Sequence, residues 1–282
     1  MGNLFGRLIL SVAVALVFSG AAVAQERAPG PGWLPPAARV SPETERAARL
    51  KYKLDEPKLD PHDLSGVWKG TFSLRDAPPF TAYGKQLSDY IQPEITDAGF
   101  QIESATDPAQ ICDPMGFPRL PDGYGFEFVR LPNRLFQFFE RTHTWRTIWT
   151  DGRKLPPDPP QPRFLGYAVG RWEGDTLIIE SNGFEDRTWI GKGGTRGGVS
   201  IGYPHSDEMR TVERYRRTAV DTLEMELTIY DSKVYTAPWT SSTGTATLYP
   251  GSEIGEYYCV PSDERDFQNL VSRPAAGAEQ LK

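Results

Sequence analysis

Histidine, cysteine and methionine are scarce: three, two and four residues in a chain of 282. Zinc centres draw on several His or Cys ligands, and with neither a His-Glu-x-x-His segment nor a cysteine cluster, no metal site is expected. A redox motif is also missing, because Cys112 and Cys259 stand far apart in the chain and neither has a second cysteine or a histidine close by. No run of Lys or Arg occurs and the net charge is -6, which argues against nucleic acid as a partner. No glycine-rich segment ending in Lys-Ser/Thr opens a helix, and no strand-glycine-helix unit appears, so no nucleotide cofactor is expected. Past the N-terminus, no apolar run approaches the roughly 20 residues that a membrane helix needs.

What is present at the start reads as an export signal. Arg7 supplies positive charge, Leu8 to Phe18 form a short apolar run, and Ala22-Val23-Ala24 is a small-x-small cleavage site. Residues 1–24 are therefore expected to be a signal peptide, and no anchoring lipid site accompanies it. The mature chain is expected to be periplasmic or secreted, where two cysteines pair most simply with each other. A Cys112–Cys259 disulfide would close a long loop, and chain entropy alone suggests about 5 kcal/mol as an upper figure. Residues 25–62, with Pro29, Pro31, Pro35 and Pro36, read as a mobile lead-in with a short helix over Ser41 to Leu54. One domain is expected over 63–266, followed by a frayed tail over 267–282.

The spacing within that domain predicts an all-β fold. Gly66 to Phe72 reads as a short strand and Tyr83 to Tyr90 as a helix. From Phe126 onward the punctuation is that of hairpins. Pro132-Asn133 separates Phe126–Arg130 from Leu135–Glu140. Asp151-Gly152 ends the aromatic run holding Trp145 and Trp149. Glu173-Gly174 separates Phe164–Trp172 from Asp175–Ser181, and a fourth hairpin joins Met209–Arg217 to Leu223–Tyr230. Successive hairpins favour an antiparallel meander that is strongly curved or closed into a lipocalin-like barrel, since closure removes exposed edges.

The fourth hairpin can be registered from its own side chains. With Thr218 opposite Thr222, Arg216 faces Glu224 and Arg214 faces Glu226, which gives two opposite-charge pairs on a solvated face. The other face then carries Tyr215 opposite Met225, Thr211 opposite Ile229, and Glu213 opposite Leu227. An inward carboxylate at Glu213 must be paired with an inward Arg, be protonated, or line a wet cavity.

Other candidates follow from residue chemistry. His205 and His143 could serve as general bases, since imidazole titrates near neutral pH; a strand histidine such as His143 often only satisfies a backbone or hydroxyl partner. The glycine-dense stretch Gly191 to Gly202 reads as a flexible loop, either a lid or ordinary surface. Gly198-Val199-Ser200-Ile201-Gly202 matches a nucleophile elbow in pattern, but it lacks the preceding strand, the following helix and the distant downstream histidine that an elbow needs.

Several segments together resemble a family of secreted bacterial proteins, largely uncharacterised, whose core reads Gly170-Arg171-Trp172-Glu173-Gly174-Asp175-Thr176-Leu177. The resemblance extends to Asp63-Leu64-Ser65-Gly66-Val67-Trp68, to Cys112 with Pro114, Gly116, Pro118 and Arg119, and to Asp151-Gly152-Arg153. Further on it includes Gly183-Phe184 with Asp186-Arg187-Thr188-Trp189, His205-Ser206-Asp207, Glu213-Arg214-Tyr215-Arg216, and Tyr235-Thr236 with Pro238-Trp239. It implies an exported protein and brings no activity with it.

Two functions are expected in competition. One is a cofactor-independent lyase, isomerase or hydrolase acting on a small, partly aromatic or apolar metabolite. His205 would act as acid or base, Glu213 or Asp186 would orient it, His143 is a second candidate, and Arg146 would stabilise developing negative charge. Trp145, Tyr167, Trp189 and Tyr215 would line its pocket. The other is a binding protein that holds an apolar ligand unchanged, in which case His205, Glu213 and Asp186 would be scattered.

Overall fold

The computed structural model describes residues 47, 51, 59–72, 74–91, 94–95, 101–102, 109, 112–121, 125–196 and 199–262. The proposed signal peptide, most of the lead-in and the tail lie outside the described residues. So does the proposed helix over Ser41 to Leu54, apart from Ala47 and Lys51, which are both helical. One compact unit spans Glu43–Lys282.

Its strands are β1 (Gly66–Gly70), β2 (Glu94–Ile95), β3 (Gln101–Ile102), β4 (Gly125–Leu131), β5 (Arg134–Phe139), β6 (Thr144–Trp149), β7 (Tyr167–Glu173) and β8 (Thr176–Asn182). They continue as β9 (Trp189–Arg196), β10 (Val199–Pro204), β11 (Arg210–Ala219), β12 (Thr222–Tyr230), β13 (Trp239–Thr240) and β14 (Gly244–Tyr249). The wall runs β11-β8-β7-β6-β5-β4-β1-β14-β12, and β12 pairs back to β11, closing a barrel of nine strands with β13 alongside β12. The helix α1 (Ala82–Tyr90) is capped by the Thr81 hydroxyl, which accepts the Gly84 N–H at 3.0 Å. Gly84 has to be glycine there, because a Cβ would lie 2.1 Å from the Val234 carbonyl oxygen.

Alternation of side chains builds the core. Phe126 and Phe128 on β4, Leu177 and Ile179 on β8, Tyr215 on β11 and Leu227 on β12 point inward and are fully buried. Trp68 joins them, and its indole N–H donates to the Leu64 carbonyl at 2.9 Å. The segment 112–121 forms a plug against this core, contributing Met115, Phe117 and Leu120 to the same buried cluster. The disulfide between Cys112 and Cys259, with Cα atoms 5.3 Å apart, ties that plug to the C-terminal end of the fold.

Three expectations need correction. The turn at Asp151–Gly152 does not start a hairpin: β6 and β7 run parallel and pair only at Ile148–Ala168 and Trp149–Val169. The reason lies in the connection, where Pro156, Pro157, Pro159, Pro160 and Pro162 cannot donate to a ladder, so the chain crosses over instead. The stretch expected as a flexible glycine loop is a two-stranded ribbon, β9 with β10. In the fourth hairpin the expected pairs Arg216–Glu224, Arg214–Glu226, Tyr215–Met225, Glu213–Leu227 and Thr211–Ile229 all occur. Thr222, however, faces Ala219 rather than Thr218, because a register shift falls between Arg217 and Ala219.

Candidate functional site

Glu213 lies on the inner face of β11 with no exposed surface. Its partner is Arg146, which the same alternation directs inward from β6. Arg146 Nη1 donates to Glu213 Oε1 at 2.9 Å and Nη2 to Oε2 at 2.5 Å. Gln137, inward on β5 and paired with Arg146 in the ladder, accepts from Arg146 Nε at 2.9 Å and Nη2 at 2.7 Å through its side-chain oxygen. The Tyr215 hydroxyl donates to Glu213 Oε2 at 2.9 Å. The guanidinium lies over the ring of Phe117 of the plug, 4.0 Å from its centroid. Burial pulls the Arg146 guanidinium down, and the charge and hydrogen bonds of Glu213 more than offset that, leaving it above its ordinary value. Burial and then the Glu213 charge hold the Tyr215 hydroxyl well above its ordinary range. An inward arginine thus satisfies the inward carboxylate.

His205 belongs to a separate cluster at the end of β10. It is buried, its Nδ1 faces the Ser206 carbonyl at 2.9 Å, and its Nε2 faces the Thr188 hydroxyl at 2.6 Å. A carbonyl only accepts, so Nδ1 carries the proton and Nε2 accepts from Thr188. Burial lowers the His205 pKa from its ordinary value, so the ring is neutral at pH 7. Ser206 next to it is clamped by Asp231, whose Oδ2 takes the Ser206 N–H at 2.6 Å and whose Oδ1 takes the hydroxyl at 2.9 Å. Asp186 is exposed and reaches His205 only through its charge.

The structure therefore brings Arg146, Glu213 and Tyr215 together and leaves His205 and Asp186 apart from them. Among the described residues, no hydrogen bond links the two clusters. His143 sits in the turn between β5 and β6, where its Nε2 accepts the Tyr257 N–H at 2.9 Å and its ring stacks on Tyr258 at 4.3 Å. Trp189 is buried beneath the Arg119 guanidinium, 5.3 Å from its ring. Ser200 falls on strand β10, not at a strand-to-helix turn.

Trp145 and Tyr167 do share a cavity, a cleft of about 700 Å³ in the barrel wall. It lies where β6 and β7, joined by only two residue pairs, leave a gap between Thr144–Thr147 and the turn at Arg163–Gly166. Trp149, Phe164 and Leu165 add apolar lining, Arg146 is part of the wall, and Arg153, Lys154 and Arg163 add charge. These last residues were not singled out from the sequence. The signal available was the cation-rich, aromatic run Trp145-Arg146-Thr147-Ile148-Trp149-Thr150-Asp151-Gly152-Arg153-Lys154, with one acid in ten positions. A second cleft of about 680 Å³ lies elsewhere, and its lining carries Asp158, Asp207, Glu208 and Asp231 against one cation, Arg210. Among the described residues, no three His, Cys, Asp or Glu side chains are grouped to hold a metal ion, and no helix is long and apolar enough to cross a membrane.

Fold and cavity together define a closed, core-filled all-β barrel with a ligand-sized cleft at a break in its wall. Comparison with family models, curated proteins and solved structures finds no match.

Proposed function

We propose that the protein is an exported binding protein that holds a small, partly aromatic or apolar ligand, unchanged, in the cleft at the β6–β7 seam. The observation that carries this reading is the cleft itself: about 700 Å³, within the usual range for small-molecule sites, and walled by Trp145, Trp149, Phe164 and Tyr167. Scatter supports it as well. An acid/base site needs base and orienting group within hydrogen-bond reach, whereas His205 spends both ring nitrogens on Ser206 and Thr188. Export is supported by the Arg7, Leu8–Phe18 and Ala22–Ala24 pattern, and by a disulfide that suits an oxidising compartment.

The test is mass spectrometry of molecules that co-purify with the exported chain, followed by thermal-shift titration of each. The expected ligand raises the Tm, quenches fluorescence from Trp145 and Trp149, and is recovered chemically intact. Thr147→Trp, which fills the cleft from the outer face of β6, is expected to abolish the shift. A ligand that is consumed would favour a lyase, isomerase or hydrolase over a carrier, and a shift that survives Thr147→Trp would move the site elsewhere.

A further inference from the structure

We propose that the seam cleft selects an anion, so that its ligand is a small aromatic carboxylate, sulfonate or similar acid. This rests on the binding reading above and adds the charge. The chain as a whole is acidic, with net charge -6. Yet four cationic side chains, Arg146, Arg153, Lys154 and Arg163, line this cleft, and among the described residues no Asp or Glu does.

The four cations are not equivalent. Arg146 is neutralised by Glu213. Arg153 is held by the Asp151 carboxylate, Nη2 to Oδ2 at 2.6 Å, with its guanidinium 3.6 Å from the Trp149 ring centroid. Arg163 is different: it stacks on the Tyr167 ring at 3.9 Å, and among the described residues no carboxylate pairs with it. A guanidinium held over a ring and without a carboxylate partner keeps N–H donors that suit a carboxylate or sulfonate. Lys154, exposed and likewise without an acidic partner among the described residues, supplies a second charge. Trp145, Phe164 and Tyr167 provide aromatic lining for an aromatic body. The acidic lining of the other cleft shows that positive charge is a local property of this one.

Two fluorescent probes of nearly the same shape separate charge from shape: 1-anilinonaphthalene-8-sulfonate, an anion, and N-phenyl-1-naphthylamine, which is neutral. On the full exported chain at low ionic strength, the anion is expected to bind about tenfold or more tightly, and added salt should narrow that gap. Arg163→Gln with Lys154→Gln should weaken the anion about tenfold and leave the neutral probe within about twofold. Both side chains are exposed, so folding is retained. Arg214→Gln with Arg216→Gln, the same charge change on the outer face of β11, should alter neither. Equal affinity for the two probes, or equal weakening by the control pair, would overturn the anion inference while the binding reading stands. Failure of both probes to bind would overturn the binding reading.

Discussion

Replacing Glu213 by Leu removes one partner of an ion pair whose side chains are 2% and 0% exposed. The guanidinium then keeps Gln137 and the Phe117 face but loses both bonds to Glu213, and it carries an uncompensated charge on a side chain only 2% exposed. Breaking such a pair costs about 3–5 kcal/mol, a large share of the roughly 5–15 kcal/mol that stabilises a domain. At about 2–4 °C per kcal/mol for a domain of this size, the Tm should fall by about 6–20 °C. The double variant Arg146→Met with Glu213→Leu removes the charge along with the carboxylate and should recover most of the loss, because apolar replacement of a buried pair is often neutral. Urea unfolding of wild type, both single variants and the double, followed by tryptophan fluorescence and circular dichroism, gives the coupling energy, expected at about 2 kcal/mol or more. A single-variant loss below about 1 kcal/mol, the range of solvated surface pairs, would show that water reaches the pair and refute the argument.

Three other perturbations follow from the same structure. His205 has its pKa lowered by burial, so the unfolded chain takes up the proton first. Stability should therefore fall as pH drops below the ordinary histidine value of about 6.5, by at most about 1.4 kcal/mol per pH unit; in His205→Asn this part of the slope should vanish, and Tm measured from pH 7.5 to 5 reads it. Cys112→Ser with Cys259→Ser, or reductant, frees a span of 147 positions and should cost up to about 5 kcal/mol in denaturant unfolding; no change would mean the bond constrains nothing. Thr142 has φ 60° in the turn between β5 and β6, a conformation costly for a β-branched residue, so Thr142→Asn should stabilise by up to about 1 kcal/mol in the same assay.

The all-β class and most of the fourth hairpin were legible because they depend on local alternation and turn chemistry. The pairs Arg216–Glu224 and Arg214–Glu226 fix which face of β11 meets water, and that parity alone sends Glu213 inward. Arg146 was singled out as a group to stabilise developing negative charge, whereas its pairing with Glu213 depends on how the wall closes, which no local pattern records. The parallel β6–β7 contact was hidden for a similar reason: five prolines between the strands announce a break but not the direction of the returning chain. The seam cleft is a product of that return, so Arg163 and Phe164 become neighbours of Trp145 only in three dimensions. Glycines between 191 and 202 suggested looseness, whereas β9 and β10 use their backbone hydrogen-bonding groups to pair. Gly202 also leaves room for the Trp189 ring, which a Cβ would approach to 2.7 Å.

Arg146 and Glu213 are 67 positions apart in the chain, on strands separated around the wall by β7 and β8. Neither side chain can shed its hydration favourably before the other arrives, so the early hairpins and the late one have to dry out in a single event. Assembly of this chain is thereby made to wait for its last third: until β11 is in place, the strands formed before it carry a wet arginine where their centre should be.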